Sequence, residues 1–433
     1  MQRIPHPHEP ATRPPPAWGR LSRGLGNRAI ASALRPAGPQ TAPPLPVQRA
    51  PVLDPKKVAV AAQQAKDADD AAAFWNLMRF LPAVPGLAGL SIALLQLAAR
   101  AGVPVGVDGS GSPVVAHVIP GQVPEVAMVV AGVHGSEHSG VEVAERLLAQ
   151  LSTQSPYYTV VVVPRLFPGN VADREAWEAK LAKDNTDIAV KKYQELRTKA
   201  GDVGRVTKGQ EDPNRQFPDL GGDLDLKKPV DSKGRLIEPS NLALLALIDN
   251  FKPTRIVSIH AIKELGKAGV YADPHPASKA TGATPQAVAA DDLAIRMAKR
   301  GKGLGVNVRG NERDGSWTSL YPGQDPSVSA EQIKRENAKG RSLGQWGPSK
   351  GITVITVEVG EQYRSGSAVK DPNRAVELEG QATVIREIFL GPPPPAPVPV
   401  PSGSVPAQRM LVSRLAELAG NSAAASFVRR PRW

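Results

Sequence analysis

VAMVVAGVHGSEHSG, residues 126–140, combines an apolar run with an abrupt change to a histidine, a glycine and an acid. Residues 126–133 have the length and valine content of a buried strand of a parallel sheet, and His134 to Glu137 follow as a tight turn. Ligands of open α/β sheets bind beyond the carboxyl ends of strands, so both side chains are expected to face one crevice. Imidazole and carboxylate are both zinc ligands. The stretch therefore predicts an α/β sheet with a candidate metal site, although H-x-x-E spacing alone is also typical of an ordinary polar turn.

Proline marks the two ends of the 433-residue chain. Of 43 prolines, 12 lie in residues 1–51 and nine in residues 391–433, so the folded part is expected to be one large α/β core. The predicted organisation is a disordered Pro/Arg-rich arm (1–55), a helical segment (56–104), a core domain (105–390), a Pro-rich linker (391–408) and a basic amphipathic helix (409–433).

The net charge of +12 is concentrated in the same two ends. Residues 1–51 contain seven Arg and one Glu, and residues 391–433 contain five Arg and one Glu, which leaves the core close to neutral. A neutral core argues against a nucleic-acid groove, because such domains carry their basic excess on the folded surface. The basic tails remain candidates for binding an acidic partner or a membrane surface.

Three absences narrow the class of protein. The chain has no cysteine, so any zinc has to be held by histidine and carboxylate. The first residues contain no apolar segment of signal-peptide length, which predicts synthesis in the bacterial cytoplasm without a signal peptide. Residues 83–99 are uncharged but are interrupted by Pro85, Gly86 and Gly89, so we expect a buried helix and no integral membrane span.

Strand and helix patterns alternate along the core. A hairpin is expected at 103–120, with its turn at Asp108 to Ser112, and residues 173–200 have the charge pattern of an exposed helical excursion. Strands are predicted at 126–133, 157–164, 255–259 and 352–359, and helices at 56–100 with a break at 82–86, 141–151, 241–250 and 291–305. This order predicts a mixed, largely parallel central sheet flanked by helices.

Further residues with suitable chemistry fall at predicted strand ends or in loops. The strand RIVSI is followed by His260, ITVITV is followed by Glu358, and the loop EDPNRQFP contains Asn214 and Arg215. Each has an ordinary interpretation: a hydrogen-bonded histidine, a solvated glutamate and a turn dipeptide. Together, in this order after H-x-x-E, they supply the third metal ligand and the free carboxylate that a hydrolytic zinc site requires.

This set of residues resembles the zinc carboxypeptidase family of the carboxypeptidase A type, over about residues 105–390. The resemblance implies a carboxypeptidase-like fold in which His134, Glu137 and His260 bind one Zn²⁺ ion. It implies that Glu358 is the general base, which would take a proton from water and later deliver it to the leaving amine.

The loop also resembles that family in its substrate-binding residues. The resemblance implies that Asn214 and Arg215 hold a substrate carboxylate, for which Arg offers a bidentate fork. GRVTKGQEDPNR and Ser342-Leu-Gly-Gln-Trp-Gly347 are similar to the bacterial murein-peptide amidase branch, in which the residue matching Arg205 polarises the scissile carbonyl. The implied activity is hydrolysis of a peptide amide bond near a free carboxylate, with peptidoglycan stem peptides as the implied substrate.

The chain departs from the family pattern at several positions. Pro213 stands where the family usually has Leu, and Phe167 to Asn170 replaces an N-P-D-G turn. No tyrosine matches the family's substrate-capping position; Tyr321 is only a loose candidate and is not assigned. His138 is expected to support the site or the fold rather than to bind metal.

Two other functions fit parts of the sequence. The G-x-H-G-x-E opening is shared with N-acyl-amino-acid deacylases of the succinylglutamate desuccinylase and aspartoacylase type. The other alternative is a cargo or adaptor protein with an inactive core. Its basis is that the tails resemble motifs of polymorphic toxins and of contractile-injection cargo, at Gly26-Asn27-Arg28-Ala29, Gly420-Asn421-Ser422-Ala423 and VQRAP (47–51). Two unrelated Ala-rich helices explain the same tail motifs. If the resemblance holds, the tails bind a delivery apparatus and the protein is a secreted effector.

Overall fold

The computed structural model describes residues 54–80, 101–184, 192, 195–196, 203–207, 209–273, 284–321, 338–360 and 373–393. The predictions for residues 1–53 and 394–433, for the break at 82–86 and for most of 185–202 lie outside these residues. In the described part of the chain, no helix combines the length and the hydropathy that crossing a membrane requires.

A seven-stranded sheet forms the centre of the described chain. Its strands are β1 (Val103–Val107), β2 (Pro113–Ile119), β3 (Val123–Ala131), β4 (Tyr158–Val163), β5 (Arg255–Ile262), β6 (Gly269–Asp273) and β9 (Thr353–Gly360). The strands β7 (Glu312–Arg313) and β8 (Ser316–Trp317) form a separate short hairpin. The order across the sheet is β1-β2-β4-β3-β5-β9-β6. The strands β4, β3, β5 and β9 are parallel, and the outer pairs are antiparallel. The predicted mixed, largely parallel sheet is therefore confirmed.

Helices cover both faces of this sheet. They are α1 (Pro55–Phe80), α2 (His138–Leu151), α3 (Pro168–Asp184), α4 (Pro239–Phe251), α5 (Pro285–Gly303), α6 (Leu343–Ser349) and α7 (Arg374–Val384), the last continuing into a π-helical turn at Ile385–Phe389. One apolar core joins α1, α4 and α6 to the sheet, and a second joins α2, α5 and α7.

The apolar run of β3 is explained by this two-sided burial. Met128 and Val130 point into the first core, whereas Ala127 and Val129 point into the second. Since a parallel strand covered on both faces exposes neither set of side chains, it needs apolar residues at consecutive positions. The unit β3-α2-β4 is the predicted βαβ unit, with β3 and β4 parallel.

Two strands run further than predicted. Both β5 and β9 continue for two residues beyond His260 and Glu358, so these side chains lie just inside the carboxyl ends of their strands. The patterns predicted neither β6 nor the helices α6 and α7, which have 5, 7 and 11 residues.

The expectation that the helix from residue 173 onward is exposed was wrong for its first turns. Arg174 and Glu178 are buried in α3, with 0% and 4% of their surfaces exposed, and they form an ion pair of 2.8 Å. The guanidinium carbon of Arg174 also lies 4.6 Å from the Trp177 ring centroid. Charged residues spaced i, i+4 neutralise each other on one helix face, which makes their burial tolerable.

Candidate active site

Close backbone packing shapes the turn between β3 and α2. Gly132 has φ +66°, a left-handed conformation that favours glycine. A Cβ atom on Gly135 would lie 2.2 Å from the carbonyl oxygen of Asn170, and one on Gly140 would lie 2.8 Å from that of Ile259. The glycines therefore let the turn approach both α3 and β5, and this places His134 and Glu137 beside His260.

His134, Glu137 and His260 form one buried cluster at the carboxyl ends of β3 and β5. Each offers a ligand atom, and these atoms lie within 4.8 Å of one another. Glu137 Oε1 is 2.8 Å from His134 Nδ1, and Glu137 Oε2 is 2.8 Å from His260 Nδ1. Glu137 occupies the N-cap position of α2, but its side chain makes no capping hydrogen bond and turns to the two imidazoles instead.

The far side of each imidazole is held by a second polar group. His134 Nε2 lies 2.9 Å from Asp212 Oδ1, and His260 Nε2 lies 3.0 Å from Ser258 Oγ. An ionised carboxylate only accepts, so Nε2 of His134 carries its hydrogen toward Asp212 and Nδ1 faces the cluster. Asp212 lies in the loop EDPNRQFP, whose pattern gave no specific role to this residue, and the sequence held no signal for Ser258.

The donor set fits a zinc ion. In the described part of the chain, His134 Nδ1 is buried without a hydrogen-bond partner, although Glu137 Oε1 is close. Two imidazole nitrogens and one carboxylate, with no cysteine, form a set typical of catalytic zinc, which keeps a further position for substrate or water. His134, Glu137 and His260 could therefore hold a metal, as the sequence predicted.

The charges of the cluster shift the pKa values of its members. Burial by itself lowers the pKa of His134, but Glu137 and Asp212 outweigh burial and raise that pKa to about 9. Burial by itself raises the pKa of Glu137, but His134 and His260 hold it well below 4.5. The Asp212 pKa is lowered in the same way, against burial, by its hydrogen bond with His134. Without metal, the cluster thus keeps a proton on His134.

Glu358 lies beside the cluster on the neighbouring strand. Its Cα pairs with that of His260 in the parallel ladder between β5 and β9. Burial, and next the negative charge of Glu137, raise the pKa of Glu358 well above 4.5, although His134 and Arg205 act in the opposite direction. The structure therefore places next to the candidate metal ligands a carboxyl group that readily holds a proton.

Arg205 reaches the same cluster from the loop that precedes Asp212. Its Nη1 atom donates to Glu137 Oε1 at 2.7 Å, and its Nη2 atom lies 3.9 Å from Asp212 Oδ2. The Arg205 side chain is 41% exposed, whereas that of Glu137 is 9% exposed. Arg205 therefore links the buried cluster to the solvent-facing side of the site.

Asn214 and Arg215 lie next to the cluster through Asp212, whose Oδ1 atom accepts from the Asn214 backbone N–H at 2.9 Å. Asn214 Oδ1 accepts from the backbone N–H of Leu343 at 3.3 Å. Arg215 Nη1 donates to the carbonyl oxygen of Asn214 at 2.7 Å, and Arg215 helps to lower the pKa of Asp212. Their proposed contact with a substrate carboxylate stays a prediction.

Residues 342–347 form the N-cap and first turn of α6. Ser342 and Gln345 make a reciprocal capping box, and Trp346 Nε1 donates to the carbonyl oxygen of Gly222 at 2.9 Å. The Trp346 ring also lies 6.0 Å from that of Phe217. The stretch therefore packs against the loop that carries Asn214 and Arg215.

His138 and Tyr321 both lie near the cluster. His138 Nε2 lies 2.9 Å from Glu175 Oε1, and His138 is not part of the ligand cluster among the described residues. Tyr321 is partly buried, with its ring 5.0 Å from that of Tyr271, and its pKa is raised by burial and by the charges of Glu358, Glu264 and Glu137. Tyr321 therefore lies close enough to the site for the carboxylates there to shift its pKa. The sequence held no specific signal for this position.

Comparisons with known proteins add likenesses of fold. No protein-family model matches the chain. No curated protein matches it either. Among solved structures, a murein-tripeptide amidase from Escherichia coli O157 is 17% identical and aligns over 66% of this chain and 91% of its own, with a TM-score of 0.37.

Two metallo-carboxypeptidases are similar to a comparable degree. The one from Burkholderia cenocepacia is 13% identical over 68% of this chain and 67% of its own, with a TM-score of 0.37. The one from Pseudomonas aeruginosa is 12% identical over 69% of this chain and 68% of its own, with a TM-score of 0.38. Identities of 12 to 17% with TM-scores of 0.37 to 0.38 do not establish a family, so function has to be inferred from the site itself.

Proposed function

We propose that the protein is a zinc-dependent peptidase or amidase that hydrolyses a peptide amide bond near a free carboxylate, in peptidoglycan stem peptides. One observation carries the proposal: His134 and His260 turn Nδ1 toward Glu137, and Glu358 lies in register beside them. Metal ligands and a carboxyl group with a raised pKa, together at the carboxyl ends of parallel strands, are what metal-assisted hydrolysis needs.

His134, Glu137 and His260 would hold the ion. When bound, zinc supplies Lewis-acid chemistry, which polarises a carbonyl and makes water easier to deprotonate. Asp212 and Ser258 keep the two imidazoles oriented, because each occupies the ring nitrogen that faces away from Glu137.

Glu358 is the proposed general base and acid. It takes a proton from water as the water oxygen bonds to the scissile carbonyl carbon, and it delivers that proton to the amide nitrogen as the C–N bond breaks. Its raised pKa favours the protonated form that the second step uses. Its position on β9, which pairs with β5 on one side and β6 on the other, holds the carboxyl group in a fixed place.

Arg205 and Arg215 are proposed to bind the substrate's negative charges. Arg205 is partly exposed beside Glu137 and is the candidate for stabilising the oxygen of the reacting carbonyl. Arg215 and Asn214 are the candidates for a free carboxylate, since a guanidinium group can bind both carboxylate oxygens.

The substrate class rests on the resemblance of residues 204–215 and 342–347 to murein-peptide amidases. Mass spectrometry of defined muropeptides incubated with the zinc-loaded protein tests it. We expect one stem-peptide bond to be cleaved with addition of one water, and the same peptide with an amidated carboxylate to react much more slowly.

If no stem peptide is cleaved, the same experiment distinguishes the two alternative functions, a deacylase and an inactive cargo or adaptor. Hydrolysis of N-acylated amino acids without cleavage of any stem peptide would replace the proposal with a deacylase, which shares the H-x-x-E turn. A protein that binds no zinc and hydrolyses neither substrate would support an inactive cargo or adaptor.

A further inference from the structure

Asn170 lies where two functional segments meet the first turn of α3. A Cβ atom on Gly135 would be 2.2 Å from the carbonyl oxygen of Asn170, and one on Gly204 would be 2.3 Å from the same atom. Gly135 belongs to the turn of His134 and Glu137, and Gly204 immediately precedes Arg205. The Asn170 backbone is therefore packed between the candidate metal turn and the segment that carries Arg205.

The Asn170 side chain adds a direct anchor to the second segment. Its Nδ2 atom donates to the carbonyl oxygen of Val206 at 3.2 Å, one residue beyond Arg205. On the other side of Arg205, Gly204 adopts φ +81°, a conformation that only glycine takes readily. Asn170 thus contacts the residue before Arg205 through its backbone and the residue after it through its side chain.

Asn170 is itself held by neighbouring elements. The backbone N–H of Gly169 donates to Asp108 Oδ2 at 2.6 Å, and that of Phe167 donates to the carbonyl oxygen of Gly132 at 3.0 Å. Asp108 is only 4% exposed and also bonds to Ser110 in the turn between β1 and β2. The start of α3 is therefore tied to the sheet on both sides and offers a rigid support.

We propose that Asn170 is a positioning residue that keeps Arg205 within reach of a substrate carbonyl, an inference that rests on the proposed function of Arg205. The guanidinium group of Arg205 is held by Glu137 and Asp212. Those contacts have to loosen when the group turns to a substrate. The hydrogen bond from the Asn170 side chain to the Val206 carbonyl oxygen involves no atom of the Arg205 side chain, so it persists through that movement and limits the volume that Arg205 can sample.

Chemical labelling tests the positioning without any turnover. We compare the rate at which an arginine-directed dicarbonyl reagent modifies Arg205 in the wild-type protein, in Asn170→Ala and in Asp173→Ala, an exposed position in the same helix turn. Labelling should accelerate about threefold in Asn170→Ala and not in the control, because a freed segment leaves Glu137 more often. Asn170→Ser replaces Asn170→Ala if the latter does not fold. An unchanged labelling rate would overturn the proposal.

A double-mutant cycle tests whether the effect on catalysis runs through Arg205. Asn170→Ala should lower kcat about tenfold in the wild-type protein, with zinc affinity unchanged, and should have no effect in an Arg205→Ala background. An equal loss in both backgrounds would mean that Asn170 supports the fold alone, and the proposal would fall. If the wild-type protein hydrolyses no peptide, the proposed function fails, and the labelling result alone decides the positioning.

Discussion

The two ends of the central sheet both carry charged side chains, but in opposite environments. At the carboxyl ends of β3, β5 and β9, the side chains of His134, Glu137 and His260 are at most 9% exposed. At the amino ends, a cavity of about 670 Å³ has Trp346 and Ile352 in its wall. Four of the charged residues in its wall form the ion pairs Lys252–Asp249 and Lys350–Asp223 in contact with solvent.

The difference shows that burial, rather than the presence of charge, separates the candidate active site from an ordinary charged surface. Both side chains of the Lys252–Asp249 pair are 70% exposed, so water screens the pair and it contributes little to stability. Inside the cluster the ionisable groups are buried, so each shifts its neighbour's pKa and keeps a fixed partner. Four measurements test this contrast between the buried cluster and the exposed ion pairs.

Replacing the general base should have the largest effect. Glu358→Gln keeps the shape of the side chain but removes its proton transfer, so kcat should fall about 10³-fold while zinc stays bound. Glu125→Gln, the same change near the amino end of β3, is the matched control and should leave kcat unchanged. Steady-state kinetics and zinc stoichiometry measure both. Full activity of Glu358→Gln would rule out its proposed role.

Zinc affinity should depend strongly on pH. His134 has a pKa of about 9 in the metal-free protein, so it is protonated at neutral pH and must lose that proton to bind metal. Below pH 9 the affinity should therefore fall about tenfold per pH unit, or about 100-fold from pH 8 to pH 6. Competition with a chromogenic chelator measures it. Asp212→Asn weakens the hydrogen bond that helps to raise this pKa and should flatten the curve, whereas equal curves would contradict the assignment.

Gly204→Ala should lower kcat less than Glu358→Gln does, because it moves the segment of Arg205 without removing a reacting group. The new methyl group would lie 2.3 Å from the Asn170 carbonyl oxygen, so the segment with Arg205 has to move. We expect kcat to fall about tenfold with zinc affinity unchanged. Gly221→Ala is the matched control: Gly221 has φ +73° but nothing within 4 Å of its added Cβ. It should lower stability by about 1 kcal/mol without changing kcat. Equal kcat values for both variants would show that the contact with Asn170 has no catalytic consequence.

The smallest expected effect lies at the amino end and has the opposite sign. Lys252 follows α4 with φ +47°, a left-handed conformation in which lysine is strained. Lys252→Gly should raise the free energy of unfolding by about 0.5 to 1 kcal/mol, because glycine relieves that strain and the lost ion pair is solvated. Chemical denaturation measures the gain, and kcat should not change. A less stable Lys252→Gly variant would show that the exposed pair with Asp249 contributes more than its exposure suggests.

The local sequence pattern was sufficient to predict the strand and helix on either side of the turn that carries His134 and Glu137. The apolar run of β3 and the periodicity of α2 predicted the βαβ unit, because strand and helix repeats depend on residues close in the chain. His134, Glu137 and His260 were predicted together from their order along the chain and its resemblance to zinc carboxypeptidases, and they lie together because the carboxyl ends of neighbouring parallel strands meet at one edge of the sheet. The proposed roles of Glu358, Arg205, Asn214 and Arg215 remain predictions, although the structure places all four beside that cluster.

Apolar periodicity along the chain was therefore enough to predict the parallel centre of the sheet and several of its helices, and the family resemblance pointed to the three candidate ligands. The groups that surround those ligands could be identified only from the packing of the folded chain. Asp212 reaches His134 across 78 residues of chain, and Asn170 contacts Gly135 and Gly204 through backbone atoms. The pKa shifts likewise depend on burial and on distances between segments. Such contacts arise from how the layers pack, and no residue spacing encodes them.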